Sequence, residues 1–88
     1  MTNTKMLLTA KQLALDYINA NRPSILAQYD LEDVYIVWFC KTIQNWKALV
    51  STDVVNDIYI EVTYNGDKNE TYVDVYKQDN HYVVGDDD

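Results

Sequence analysis

The stretch that decides the fold is VYIVWFC, Val34 to Cys40, seven residues without a single charge. A strand that lies between a core and water should alternate apolar and polar side chains, because successive side chains point to opposite faces. This stretch does not alternate, and both of its faces are heavily apolar. In a chain of 88 residues, something must therefore cover the second face of this strand.

Length and charge limit the classes of function. Eighty-eight residues suffice for one domain with a shallow core. Fourteen acidic residues against seven basic ones give a net charge of −7, and the basic residues are scattered singly. Direct binding to nucleic acid or to an anionic membrane is therefore disfavoured. The same acidity either presents a decoy surface to a basic partner or serves solubility.

The sequence predicts a cytoplasmic protein. Cys40 is the only cysteine, which excludes a disulfide within the chain and a cysteine-rich zinc site. The N-terminal apolar run is short, is broken by Lys11 and Gln12, and has no cleavage site of a signal peptide. No apolar stretch approaches the roughly 18 residues that a membrane helix needs.

An amphipathic helix is predicted from about residue 4 to residue 21. Its apolar residues recur at steps of three and four: Met6, Leu7, Ala10, Leu13, Ala14, Tyr17 and Ile18. A start at Thr9 competes, because Thr9 and Gln12 form a capping box. We favour the longer helix, since the apolar stripe reaches back to Met6. The Arg22-Pro23 pair ends it, because the residue before a proline is driven out of the α region.

Beyond residue 34 the pattern changes to strands, predicted at 34–43, 47–52, 58–64 and 70–77 and separated by turn residues. The predicted fold is therefore α+β, an N-terminal helix packed on a four-stranded antiparallel meander sheet. Residues 24–28 can form a short second turn, and the apolar triplet 82–84 can add a short edge strand. The acidic tail 85–88 is predicted to fray.

The hairpin between the third and fourth strands has a predictable register. The third strand carries its apolar residues at even positions and the fourth at odd ones. If both sets lie on one face, the residue numbers of two paired residues must add up to an odd number, as for Ile60 with Val73. Val62 then pairs with Thr71. A two-residue Gly66-Asp67 turn or a four-residue loop satisfies this rule, and a three-residue loop without a bulge does not.

Three alternatives can cover the second face, which exceeds the apolar patch that monomers tolerate. A second copy can stack on it in a two-fold homodimer, the segment after Pro23 or the 82–84 triplet can fold back, or a different protein can bind. The candidate self-association residues are Val34, Ile36, Trp38 and Trp46. The opposite face of the hairpin offers the candidate partner-binding residues Tyr59, Glu61, Glu70, Tyr72, Asp74 and Tyr76, because tyrosine is enriched at interfaces.

Catalysis has little support in the sequence. Cys40 and His81 are the only conceivable nucleophile and base, but a cysteine in mid-strand is more often a small buried hydrophobe. Glu61 and Asp74 can fall on one face as an acid and a base, but alternate polar positions of an exposed strand are usually just solvated. We predict no catalytic residue.

No cofactor or metal site is predicted either. The only glycines are Gly66 and Gly85, which is too few for a phosphate-binding loop. Asp86 to Asp88 could ligate a hard cation, but three adjacent flexible carboxylates bind weakly.

Two segments carry a resemblance to a known family. The run WFCKTIQN, Trp38 to Asn45, and the turn YNGDK, Tyr64 to Lys68, resemble a family of small uncharacterised proteins from phages and prophages of low-GC Gram-positive bacteria. The likeness extends from Val34 to Lys77. It implies a phage or prophage origin and a bacterial cytoplasm, and it carries no assigned activity.

These observations lead to two hypotheses of function. The first is a non-enzymatic phage accessory protein, a homodimer, which binds a host or phage protein; its sharper form is an acidic inhibitor of a host defence or nucleic-acid enzyme. The alternative is a small-ligand-binding module with a pocket lined by Tyr17, Trp38 and Phe39 between helix and sheet.

Overall fold

The computed structural model describes residues 2–85. Helix α1 spans Asn3–Ala20, and a single 3-10 turn spans Leu31–Asp33. Four strands follow: β1 Val34–Thr42, β2 Asn45–Thr52, β3 Ile58–Asn65 and β4 Glu70–Lys77. They form one antiparallel sheet in the order β1-β2-β3-β4. The predicted α+β fold, a helix followed by a four-stranded meander, is thereby confirmed.

Helix α1 begins at Asn3. The Thr2 hydroxyl caps it by accepting a hydrogen bond from the Lys5 backbone N–H at 3.2 Å. The competing start at Thr9 is wrong, since Thr9 lies inside the helix and donates to the Lys5 carbonyl at 2.8 Å. Asn21 is the C-cap, and Arg22-Pro23 follows it, as the sequence predicted.

Small side chains bring the helix close to the sheet. Ala10 and Ala14 are completely buried, and they face the fully buried strand residues Val50, Ile60 and Val62. Helix α1 lies over β1, β2 and β3, and β4 is left largely uncovered. The core consists of the side chains that this packing buries: Met6, Ala10, Ala14, Leu15, Ile18, Val34, Trp46, Ala48, Val50, Ile58, Ile60 and Val62.

A β-bulge explains why VYIVWFC does not alternate. Ile36 pairs with Val50 but Trp38 pairs with Leu49, so Val37 is an extra residue in β1. Before the bulge the even positions face α1, and after it the odd positions do, beginning with Phe39 opposite Ala48. Apolar residues of β1 therefore pack into the core both before and after the bulge, although the sequence alone suggests a strand with two apolar faces.

The β3–β4 hairpin follows the odd-sum rule in a different register. Ile60 pairs with Val75 and Val62 with Val73, two residues from the predicted partners. The two-residue Gly66-Asp67 turn is wrong, because the hairpin closes with a four-residue loop, 66–69. That loop places Asn69 in the left-handed region with φ 51°, and the Asn69 amide oxygen accepts a 2.8 Å hydrogen bond from the Tyr64 hydroxyl.

The β1–β2 turn packs against that loop at one end of the sheet. It consists of Ile43 and Gln44, one residue earlier than predicted, and Ile43 has a φ of 52°. The Gly66 N–H donates to the Asn45 side-chain oxygen at 2.8 Å. A Cβ at Gly66 would collide with the backbone oxygen and the side chain of Gln44, so close approach rather than a positive φ requires glycine here.

Neither chain segment that could have folded back covers the second face, so those alternatives are wrong. After Pro23 the chain makes one turn, with the Leu26 N–H donating to the Pro23 carbonyl at 3.0 Å. Two hydrogen bonds between Asn19 and the Tyr29 backbone, of 2.8 and 3.2 Å, hold this segment on the helix side. Residues 82–84 form no strand and are exposed. The tail predicted to fray lies, from residue 86 on, outside the described residues.

Candidate functional site

The face of the sheet that points away from α1 is here called the open face. Nothing in residues 2–85 covers it, and strand pairing places on it side chains of all four strands. They include Tyr35, Trp38 and Cys40 of β1, Lys47, Leu49 and Ser51 of β2, Tyr59, Glu61 and Thr63 of β3, and Glu70, Tyr72, Asp74 and Tyr76 of β4. All six residues predicted to bind a partner therefore lie on one surface.

Three tyrosines form a row across one end of the open face. Tyr59 pairs directly with Tyr76, and Ser51 separates Tyr59 from Tyr35. The tyrosines are 45 to 52% exposed, whereas Ser51 is buried between them and donates to the Ile58 carbonyl at 2.9 Å. The row therefore presents aromatic side chains on both sides of a shallow depression.

Carboxylates occupy the middle and the far end of the open face. Glu61 pairs directly with Asp74, which sets two acidic side chains on neighbouring strands. The Glu61 carboxylate also lies 3.4 Å from the Lys47 ammonium, the one ion pair within residues 2–85. Asp74 and Glu70 have no basic partner in that range, so the β4 half of the face is acidic.

Tyr72 and Glu70 form a hydrogen-bonded pair on β4. The Tyr72 hydroxyl donates to the Glu70 carboxylate at 2.6 Å. This hydrogen bond, followed by partial desolvation and the negative charge of Glu70, raises the pKa of Tyr72 above its ordinary value of 10.0. The contact fixes the direction of the ring and keeps its hydroxyl protonated.

The predicted self-association residues do not form one surface. Val34 and Trp46 are buried under α1, and Ile36 packs beside them, so none of the three is available to a second copy. Trp46 instead stacks on Tyr64, with ring centroids 6.0 Å apart. Only Trp38, 41% exposed, lies on the open face. The bulge at Val37 separates Trp38 from Val34 and Ile36, and it places Trp38 on the same face as the predicted partner-binding residues.

Cys40 and His81 are not brought together. Cys40 is exposed on the open face of β1, not buried as its apolar neighbours suggested. His81 follows β4, at the other edge of the sheet and the opposite end of the strands. Three strand spacings alone amount to about 14 Å, far beyond a hydrogen bond. Cys40 and His81 therefore do not form a pair of nucleophile and base.

No metal-binding cluster occurs in the part of the chain that the structure describes. Residues 2–85 contain no group of three or more histidine, cysteine or acidic side chains placed to hold a metal ion. The Asp86–Asp88 run lies outside the described residues. Nor does any helix within residues 2–85 combine the length and apolar character that crossing a bilayer requires.

A cavity of about 460 Å³ lies at the C-terminal end of α1, on the helix side of the sheet. Its lining comes from the helix, the segment after it, the β2–β3 loop and the end of β4: Tyr17, Ile18, Asn21, Arg22, Pro23, Leu26, Tyr29, Val54, Val55, Ile58 and Lys77. Trp38 and Phe39 do not line it, so the pocket predicted from those residues with Tyr17 is wrong.

The sequence matches a family from residue 7 to residue 86, which takes in nearly all of α1 and the whole sheet. The chain belongs to the DUF6275 family, a family of unknown function. No curated protein and no solved structure matches the chain. The family assigns no activity to its members, so the function of this DUF6275 protein must be argued from the open face and the cavity.

Sequence reasoning assigned no role to three members of the open face of this DUF6275 chain, namely Lys47, Leu49 and Ser51. The face of the sheet on which they lie depends on whether the odd or the even residues of β1 face the core, and on the register of β1 with β2. The available signal was the uniform apolarity of VYIVWFC itself, because a bulge lets one strand supply the core from both odd and even positions.

Proposed function

We propose that this DUF6275 protein is a non-enzymatic phage or prophage accessory protein that acts by binding another protein through the open face. One observation carries the proposal: the open face exposes Trp38, Tyr59, Tyr72 and Tyr76, and no part of residues 2–85 covers them. Tyrosine and tryptophan dominate the contact energy of protein interfaces, since each combines a rigid apolar body with a polar tip.

The accessible surface supports an uncovered interface. The chain exposes 6435 Å², whereas a monomer of 10.3 kDa is expected to expose about 5,400 Å². The exposed segment 78–85 and the open face both contribute to this surplus. A stable interface takes about 800 Å² from each partner, which the surplus matches in size.

The charge of the open face favours a basic partner. Glu70 and Asp74 alternate with Tyr72 and Tyr76 along β4, and neither carboxylate has a basic neighbour within residues 2–85. With a net charge of −7 the protein would be attracted to a cationic surface over a long range. We propose, as the sharper version, that it occupies the basic site of a host defence or nucleic-acid enzyme.

Self-association would use the same surface. We propose that the free protein is a homodimer in which two open faces pack together. The apolar β1–β2 half, with Trp38 and Leu49, can meet the partner's β3–β4 half, and Lys47 can then meet Asp74 of the second copy. Because there is one open face for each copy, a bound partner would displace the second copy.

The phage or prophage origin and the bacterial cytoplasm remain part of this proposal. They rest on the resemblance of the runs Trp38–Asn45 and Tyr64–Lys68 to proteins of phages and prophages. Trp38 and Cys40 of the first run lie on the open face, and the second run forms the loop next to it.

Affinity capture with matched charge variants tests the protein-binding proposal. The double variant Glu70→Lys, Asp74→Lys reverses two charges on the open face, and Asp16→Lys, Glu32→Lys changes the net charge equally on the helix side. We expect specific bacterial proteins to be captured by the parent chain and by the helix-side variant, and lost with the open-face variant. Equal capture by all three chains would exclude the open face.

Small-ligand binding is the second candidate function, and the cavity beside Tyr17 favours it. Its volume of about 460 Å³ falls within the range of about 300 to 1,000 Å³ that small-molecule sites occupy. The cavity lies on the other side of the sheet from the open face, so variants can separate the two functions.

A further inference from the structure

The walls of the cavity at the end of α1 are mainly apolar. Ile18, Leu26, Val54, Val55 and Ile58 line it, while Tyr17 and Tyr29 add aromatic surface. No acidic side chain lines the cavity, although acidic residues outnumber basic ones two to one in this protein. The site therefore suits a ligand with an apolar body.

Two cations converge on the same cavity. Arg22 follows the helix C-cap, and Lys77 pairs with Ile58, which places it on the helix side of β4 together with Val75. Neither forms an ion pair with another residue of the range 2–85. The partial negative charge of the helix C-terminus favours a cation at Arg22, and Lys77 lies exposed at the end of β4.

Arg22 has an unsatisfied donor. Its Nε is buried and has no hydrogen-bond partner in the described chain. A buried donor without a partner is unfavourable by the full desolvation of that group, and arginine can only donate. Arg22 also lines the cavity, and the terminal N–H groups of its guanidinium can donate to an acceptor oxygen there.

We propose that this cavity binds a small amphipathic carboxylic acid. The carboxylate accepts hydrogen bonds from Arg22 and Lys77, and the apolar body lies against Ile18, Val55 and Ile58. A single carboxylate fits better than a phosphate, because no glycine-rich loop lines the cavity to supply backbone donors. The inference rests on small-ligand binding as the second candidate function, and it is independent of protein binding through the open face.

Titration with decanoate, below its micelle concentration, tests the proposal. Amide chemical shifts in two-dimensional NMR spectra of the full chain report where it binds. We expect saturable shifts at Tyr17, Ile18, Val54 and Val55, and none confined to the open face. Decanamide has the same apolar body without the charge, and we expect it to bind at least about tenfold more weakly.

Two variants separate the head-group contacts from the fold. Arg22→Gln and Lys77→Gln should each weaken decanoate binding about tenfold, whereas Lys68→Gln removes a cation from the distant 66–69 loop and should change nothing. Well-dispersed spectra of the ligand-free variants establish that they fold.

Two results would overturn the proposal. One is the absence of saturable shifts with decanoate. The other is binding that decanamide reproduces equally and that Lys68→Gln weakens as much as Lys77→Gln does. The second pattern would indicate general apolar adsorption. Either result leaves the capture experiment on the open face unaffected.

Discussion

At the scale of single residues, Ile43 has the least favourable backbone. Its φ of 52° is in the left-handed region, where a β-branched side chain crowds the backbone. Asparagine adopts a positive φ at a lower cost than a β-branched residue does. Replacing Ile43 by Asn should therefore stabilise the fold by about 1 kcal/mol. Urea denaturation measures the change. Ile43→Val keeps a β-branched side chain and should not raise the free energy of unfolding. An equal rise in Ile43→Val would attribute the effect to the smaller exposed apolar surface instead.

Gly66 is required for space. A methyl group there would meet the backbone oxygen of Gln44, so the two turns at that end of the sheet would have to separate. Gly66→Ala should lower the free energy of unfolding by about 1 to 3 kcal/mol. Gly85→Ala is the matched control, since a Cβ at Gly85 meets nothing. Thermal unfolding of both variants checks this, and equal melting temperatures would contradict it.

The Tyr72–Glu70 pair predicts a pH effect. Because the hydrogen bond raises the pKa of Tyr72, the folded state holds this proton more tightly than the unfolded chain does. The stabilisation is complete below the ordinary tyrosine pKa of 10.0 and is lost as pH rises through the raised value. An NMR titration of the Tyr72 ring should show this elevation, and Glu70→Gln should remove most of it. Unchanged titration in Glu70→Gln would assign the shift to burial.

At the scale of elements, the bulge in β1 can be removed without disturbing the register. If Val37 is deleted, Ile36 still faces α1, Trp38 still faces out and every pair with β2 is kept. We expect the deletion variant to fold, with a change in unfolding free energy of no more than about 1 kcal/mol. Deleting Leu49 from the regular strand β2 should unfold the protein, because it turns half of that strand over. Circular dichroism with thermal melts compares the two variants.

The elements were predictable for identifiable reasons. The apolar stripe from Met6 to Ile18 repeats with the period of a helix, and β3 and β4 alternate cleanly, so the helix, the two strands and their odd-sum register follow from periodicity. The bulge does not follow. When every position of a strand is apolar, the sequence does not show whether the odd or the even residues face the core. Only the pairing with β2 shows that Val37 is the extra residue.

At the scale of the whole molecule, the fold is a thin two-layer slab. Its extents are 46 × 44 × 20 Å, and its radius of gyration of 15.2 Å exceeds the roughly 12 Å expected for a compact domain of this length. Within residues 2–85 one helix covers one side of the sheet, and no element of that range lies over the other side. The shape agrees with the proposal that the open face is an interface.

Solution mass tests the homodimer. Light scattering over a wide range of concentration should give twice the monomer mass of 10.3 kDa. Trp38→Lys places a charge in the middle of the proposed interface and should give the monomer mass. Leu8→Lys makes the same kind of change on the exposed side of α1 and should leave the dimer intact. A parent chain that stays monomeric at all concentrations would leave the open face to a different protein.

The candidate site was predictable in part. Alternation along β3 and β4 was enough to place Tyr59, Glu61, Tyr72, Asp74 and Tyr76 on one face. The contribution of β1 and β2 was not, since Val34, Ile36 and Trp46 lie in the core and Trp38 lies on the open face. The cavity was beyond sequence reasoning, because it forms where the irregular segments after α1 and β2 meet the end of β4.

Cys40 gives this surface a chemical reporter. It is the only thiol of the chain, it is exposed, and it lies in one row with Lys47, Thr63 and Tyr72. An alkylating reagent therefore labels one atom at a known position, and the labelling rate reads out occupancy. A second copy or a captured protein seated there would protect the sulfur, whereas decanoate in the cavity would not. One footprinting measurement on the unmodified sequence thus distinguishes ligands of the two sides of the sheet.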